Sequence, residues 1–212
     1  MSELEPIARY ESRTIVYDSS RELKPAAVML LVHRERRTVL FIVRSARLKT
    51  HPGQIGLPGG GIEAGESPLQ AGLRELEEEV GVPASAVEVV GDIDRLQTIT
   101  NYLVHPFVGW WSHDRELVLD EREISAAFEV PLDFLLEPDN CRLEIWGRHG
   151  IQKKMYFWTH GERVIWGVTG DILASFYRAL RGRELADSLT VSESREDDFL
   201  RRFRDGDKTA SP

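Results

Sequence analysis

Apolar residues arrive in short runs along the first half of the chain, separated by polar turns. Residues 26–33, AAVMLLVH, are apolar almost throughout and predict a buried strand. ERR at 35–37 is a polar turn and 39–43 is a second apolar run, so the two runs predict a hairpin. Residues 44–60, RSARLKTHPGQIGLPGG, follow neither period and carry cations, prolines and glycines instead. The spacing then changes. Leu69, Leu73, Leu76 and Val80 recur at i, i+4, i+7 and i+11, the apolar face of a helix that has a core to pack on. Ser67 is placed to cap its N-terminus, Pro68 fits its first turn and Gly81 stops it.

Beyond Gly81 the pattern predicts strands over 87–90, 96–100, 104–111 and 124–130, with a mostly polar loop over 113–123. Residues 131–136 read as a short helix or turn, and 143–146 with 155–159 as a second hairpin. Ile172, Leu173, Phe176 and Leu180 set a second helix over 168–180. Many strands, with one helix in the middle and one near the end, predict an α/β fold: an α/β/α sandwich with a mixed β-sheet flanked by helices. The expected division is a loose N-terminal segment over 1–24, a domain over 25–181, and a weakly ordered polar tail over 182–212 with one helix around 198–203.

A chain of 212 residues is long enough to bury a proper core. Its net charge of −8 argues against generic nucleic-acid or anionic-membrane binding, since both want a basic surface. A small anionic ligand needs only a local basic patch and is not excluded. Cys141 is the single cysteine, which rules out an intrachain disulfide and a cysteine-only metal site. The N-terminus lacks an apolar core behind a basic start, and no run of about 18 apolar residues occurs, so a cytoplasmic protein is expected. Composition leaves the oligomeric state open, a homodimer included.

The helix over 68–80 carries an anomaly. Glu75, Glu78 and Glu79 stand at i, i+3 and i+4 and share a face away from the apolar one. Like charges at that spacing repel by roughly 0.2–0.5 kcal/mol per pair. They also occupy the last turns, where the helix dipole disfavours anions. Acidic helix faces are usually only solvated, but a helix built for stability alone would carry its acids at the other end. A hard divalent cation held by carboxylate oxygens would offset the repulsion.

The stretch 60–82, GGIEAGESPLQAGLRELEEEVGV, resembles the Nudix box, G-x5-E-x7-R-E-U-x-E-E-x-G-U with U a bulky aliphatic residue. Gly60, Glu66, Arg74, Glu75, Leu76, Glu78, Glu79, Gly81 and Val82 fill its fixed positions. The resemblance implies a Nudix-type sandwich and a Mg2+- or Mn2+-dependent hydrolase of nucleoside diphosphates linked to another moiety. It makes Glu78 and Glu79 the main metal ligands, Glu75 a further ligand or the base that activates water, and the Gly60 carbonyl a further contact. Arg74 would orient the carboxylates. Glu66 would bind metal or cap the loop-to-helix corner, and Glu123 is one more candidate acid, a plain loop glutamate being the alternative.

The preceding block resembles R-S-x3-R-x3-G-x3-F-P-G-G of coenzyme A pyrophosphatases. Arg44, Ser45, Gly53, Pro58, Gly59 and Gly60 match, and so does the HPGQ run from His51 to Gln54. Lys49 stands where that subfamily has arginine and Leu57 where it has phenylalanine, which exchanges a planar two-pronged donor for a point charge. The resemblance implies a substrate of the CoA type, bound through Arg44, Ser45, Arg47, Lys49, His51, Gly53, Gln54 and Gly59 and split into 3′,5′-ADP and 4′-phosphopantetheine, with acyl-CoA or oxidised CoA also open. The rivals are an ADP-ribose, NADH or other nucleoside-diphosphate hydrolase, and a non-catalytic Nudix module that senses a ligand. Tyr156, Trp158 and His160 fit packing better than ligand contact, and GVTGDIL at 167–173 resembles a closing-helix packing segment.

Overall fold

The computed structural model describes residues 3–112, 116–148 and 151–196. In chain order the elements are α1 (Glu5–Ala8), β1 (Thr14–Ile15), β2 (Lys24–His33), β3 (Thr38–Arg44), β4 (Ile55–Gly56), β5 (Gly59–Gly61), α2 (Pro68–Val80), β6 (Val87–Asp92), β7 (Arg95–Gln97), β8 (Tyr102–Trp111), β9 (Ile124–Pro131), α3 (Leu132–Leu136), β10 (Cys141–Arg148), β11 (Ile151–His160), β12 (Arg163–Ile165), α4 (Val168–Arg181) and β13 (Val191–Glu196).

β1 to β9 form one mixed sheet. Its main path is β1-β7-β8-β2-β3-β4, with β5 also on β2, β6 on β8 and β9 on β3. β2 is apolar from Ala26 to Val32 because both its faces are covered there, and alternate residues go to opposite sides. Met29 and Leu31 pack with Leu40, Ile42, Leu76 and Val80 under α2. Leu30 and Val32 pack with Val39, Phe41, Ile7 of α1, Ile172 and Phe176 of α4, and Tyr156 and Trp158 of β11. Helices thus flank the sheet on two sides, as the alternation of elements predicts.

The hairpin expected from the first two apolar runs is a fork. β2 and β3 pair only at Val32 and Val39. β2 then runs parallel to β8 from Lys24–Tyr102 to His33–Trp111, while β3 pairs antiparallel with β9. Residues 55–61 occupy the fork. β4 pairs with β3 and β5 with β2, and the Met29 N–H donates to the Pro58 carbonyl at 2.8 Å. The irregular block seen in the sequence is therefore held in a fixed place beside the first two strands.

The second hairpin is present and larger than expected. β10 and β11 pair along their length and, with β12 and β13, form a second sheet in the order β12-β11-β10-β13. The strand expected over 96–100 stops at Gln97, because Thr98 to Asn101 make a turn closed by the Asn101 N–H on the Thr98 carbonyl at 3.2 Å, with Asn101 at φ 64°. The segments expected to lie outside residues 25–181 pack onto the domain. Leu4, Ile7 and Leu185 are buried in the main core, and β13 pairs with β10. A polar average across each segment hides these few apolar contacts. The helix expected around 198–203 lies outside the described residues. Among the described residues no helix is long and apolar enough to cross a membrane.

Candidate active site

α2 begins with a capping box. Ser67 Oγ accepts the Gln70 N–H at 3.3 Å and Gln70 Oε1 accepts the Ser67 N–H at 2.8 Å. It ends at Gly81, whose left-handed φ of 73° lets its N–H reach the Glu77 carbonyl. Leu76 and Val80 are fully buried and Leu69 and Leu73 partly so, which fixes the rotation of the helix about its axis. Gly72 seats it, since a Cβ there would stand 2.8 Å from Met29 Sδ of β2. With the apolar face committed to β2 and β3, Glu75 and Glu79 turn toward β5.

Arg74 supplies part of the positive charge that the acidic cluster needs. Its Nη1 donates to Glu75 Oε1 at 2.9 Å and to Glu78 Oε2 at 3.0 Å, its Nε to Glu66 Oε1 at 3.0 Å, and its Nη2 to Glu66 Oε2 and the Gly61 carbonyl, both at 3.1 Å. Its hydrogen bonds hold the Glu66 carboxyl below the usual range. Glu79 is 3% exposed. Its Oε2 accepts the Gly59 N–H at 2.9 Å, and its Oε1 is 4.0 Å from Arg44 Nη1. Burial, only partly offset by those contacts, pushes its carboxyl up to about 8. Burial likewise raises Glu75.

Gly60 lies directly over Glu75: a Cβ there would be 2.4 Å from the carboxyl carbon. Gly59, at φ 149°, lies so close to β2 that a Cβ would meet the Ala27 carbonyl oxygen at 2.2 Å. The two glycines bring backbone against both inner carboxylates.

A cavity of about 600 Å³ opens beside them. Glu75, Glu79 and Glu123 line it together with Arg44, His51, Gln54, Gly59 and Gly60. Glu123 is brought in by its carbonyl, which accepts the N–H of buried Ser45 at 2.7 Å. His51 Nδ1 and Gln54 Oε1 are 2.9 Å apart, and burial lowers the His51 pKa, favouring the neutral ring. The cavity does not take in every residue expected at the site. Glu66 and Glu78 stay with Arg74 outside its lining, and Ser45 serves as an anchor. Arg47, Lys49 and Gly53 are exposed and also outside it.

Other lining residues were not singled out by sequence spacing: Lys24, the turn over 98–100, Lys153, Met155, Trp166 and Gly167 to Thr169. The GVTGDIL segment thus lines the cavity as well as packing. Tyr156 and Trp158 are buried core residues, and His160 packs edge-on against Phe134.

Among the described residues no three carboxylate, imidazole or thiolate groups converge as a finished metal site. The donor chemistry nonetheless fits a hard divalent cation. Glu75, Glu79 and Glu123 supply oxygens at one end of the cavity, and buried Glu79 has too little positive charge beside it.

The NUDIX domain profile matches residues 23–146. The chain is 36% identical over 153 residues to a protein of Escherichia coli K12 described as uncharacterized Nudix hydrolase NudL, covering 71% of this chain and 79% of that protein. It is 35% identical over 150 residues to the Photorhabdus laumondii protein of the same description, covering 70% and 80%. Among solved structures, the MutT protein of Methanosarcina mazei superposes with a TM-score of 0.47 at 22% identity, over 56% of this chain and 84% of that one. The chain belongs to the Nudix family of hydrolases. Enzymes of this family hydrolyse diphosphate linkages in small nucleoside diphosphate derivatives and use divalent metal ions.

Proposed function

We propose that this enzyme hydrolyses the diphosphate bond of coenzyme A, releasing 3′,5′-ADP and 4′-phosphopantetheine. One observation carries the reading: Arg44, His51 and Gln54 of the block that resembles CoA pyrophosphatases line the same cavity as Glu75 and Glu79 of the Nudix box. The cationic loop and the carboxylates, neighbours in sequence, are also two walls of one site.

Glu75, Glu79 and Glu123 would hold Mg2+ or Mn2+, with Glu78 joining from the rim. Such a cation would neutralise the diphosphate and make water more acidic beside it. Arg44 is placed to take a diphosphate oxygen as well as to face Glu79. Arg74 keeps Glu75 oriented through its hydrogen bond, so that this carboxylate can accept a proton from the attacking water. The narrow approach of Gly60 to Glu75 leaves no room for a side chain that would displace either.

A second reading, an ADP-ribose or NADH hydrolase, is favoured by one fact: Arg47 and Lys49 are exposed and outside the cavity lining. The decisive assay incubates the protein with Mg2+ or Mn2+ and, separately, CoA, dephospho-CoA, ADP-ribose and NADH, followed by product identification. CoA turned over fastest, with 3′,5′-ADP among the products, is the expected result. Much faster turnover of ADP-ribose would end the CoA reading and leave the enzyme a Nudix hydrolase.

A further inference from the structure

CoA carries a third phosphate, on the ribose, away from the diphosphate that is cleaved. If the reading above holds, the site needs a second anion-binding point, and the loop cations expected to provide it do not all face inward. Arg44 sits at the carboxylate end, 4.0 Å from Glu79. Arg47 and Lys49 are exposed and outside the lining. The cations that do line the cavity beside Arg44 are Lys24 and Lys153.

Lys153 belongs to a different wall. It stands on β11 two residues before Met155, and alternation along the strand puts both on the face that lines the cavity. Its Nζ is 2.8 Å from Asp171 Oδ2 in α4. An ammonium has three N–H donors, so this carboxylate fixes the group in place without exhausting it. The N-terminus of α4 lies at the same wall. Gly167, Val168 and Thr169 line the cavity, and Gly167, the N-cap at φ 70°, makes no side-chain cap. The Thr169 hydroxyl is instead committed to the Ile55 carbonyl at 3.1 Å, which ties this turn to β4. First-turn amides and the positive end of a helix dipole favour an anion, and the Lys153 ammonium neutralises Asp171, the one acid in that turn.

We propose that Lys153 and the N-terminal turn of α4 form a second anion subsite, which binds the ribose phosphate of the substrate and makes Lys153 a specificity-determining residue. This rests on the CoA reading. Lys24, on the edge of the same cavity, is the competing cation.

The test compares CoA with dephospho-CoA, which lacks only that phosphate, in the metal-loaded enzyme. Lys153→Met alone would leave the half-buried Asp171 carboxylate unpaired beside a methyl group, so the informative variant is Lys153→Met with Asp171→Asn. We expect its KM for CoA to rise about tenfold, with kcat little changed and both constants for dephospho-CoA unaltered. Lys153→Arg should retain most of the preference. Unchanged kinetics on dephospho-CoA show that the fold and the cleavage site are intact, a result that a purely structural Lys153–Asp171 pair would not give. A double variant that keeps the wild-type preference overturns the subsite while leaving the CoA reading standing, as does loss of the preference only in Lys24→Met. Wild-type enzyme that ignores CoA and cleaves ADP-ribose overturns the substrate reading and this subsite with it.

Discussion

Glu79 is an ionisable residue in the last turn of a helix, 3% exposed, with one backbone N–H and a distant guanidinium for company. A carboxyl group in such a place costs stability, which the proposed metal-binding role of Glu79 accounts for. Glu79→Gln removes the ionisable carboxyl that a cation would need and keeps an oxygen that can accept the Gly59 N–H. The folded state should persist, with a melting temperature at or above that of the metal-free parent, and activity should fall by more than about 100-fold. Circular dichroism and a saturating-metal assay check the two halves, and near-normal turnover would remove Glu79 from the metal site. Gly60→Ala is the complementary case. Its Cβ would fall 2.4 Å from the Glu75 carboxyl, so Glu75 must move and activity should drop by roughly 10-fold or more while the melting temperature changes little. Loss of fold instead of activity would show that Gly60 is needed for packing alone. These two residues were legible in the sequence because their chemistry is local: helical spacing aligns the acids and the glycines precede them. Lys153 was not, since nothing near it in sequence marks it. Only the pairing of β11 beside α4 brings it to the cavity.

α2 shows how an element can be read almost residue by residue. The apolar spacing, Ser67, Pro68 and Gly81 predict a helix over the stretch the structure assigns to Pro68–Val80. Local signals and the tertiary contacts agree there, so little is left for the fold to override. Ser67→Ala removes the hydroxyl half of the capping box, leaving the backbone N–H of residue 67 on Gln70 Oε1, and should cost about 1 kcal/mol, seen as a fall of about 2–4 °C in the melting temperature, with KM for the substrate unchanged. A shift of less than one degree would mean that the packing of Leu76 and Val80 holds the helix start without help. Other elements left no such trace. β4 and β5 span two and three residues, mostly glycine, and exist only because β2 and β3 splay and offer their edges. β13, VSESRE, has no apolar stripe to announce it and is defined by backbone pairing with β10. Strands made by partners rather than by their own side chains are invisible to periodicity.

Across the whole molecule, the segments expected to lie outside the domain are tied to it by a buried polar cluster as well as by Leu4, Ile7 and Leu185. Asp94, in the connection from β6 to β7, is fully buried. Its Oδ1 accepts the Tyr10 hydroxyl at 3.0 Å and the Arg13 N–H at 2.8 Å, and its Oδ2 accepts the Ser175 hydroxyl at 2.9 Å. Arg178 of α4 pairs with the same carboxylate, donates to the Tyr10 hydroxyl at 2.8 Å and reaches Glu184 at 3.1 Å beyond the end of α4. One carboxylate thus joins the N-terminal segment, the main sheet and α4, and Arg178 extends the link past residue 181. Replacing a buried pair entirely can be nearly neutral, but removing one partner leaves a buried charge uncompensated. The Arg13 guanidinium, half-exposed with its Nε 3.6 Å from Asp94 Oδ1, compensates only part of that charge, so Arg178→Met should destabilise the protein by about 3 kcal/mol in denaturant unfolding. Arg178→Met combined with Asp94→Asn should recover part of that loss, because the buried charge is gone while the amide oxygen can still accept from the Tyr10 hydroxyl and the Arg13 N–H, leaving the amide NH2 to donate to the Ser175 hydroxyl. The cluster lies outside the cavity lined by Glu75 and Glu79, so kcat at low temperature should stay near wild type in both variants. A cost below about 1 kcal/mol for Arg178→Met would show that apolar contacts of Leu4, Ile7 and Leu185 hold these segments unaided, and that the charge cluster is incidental to the fold.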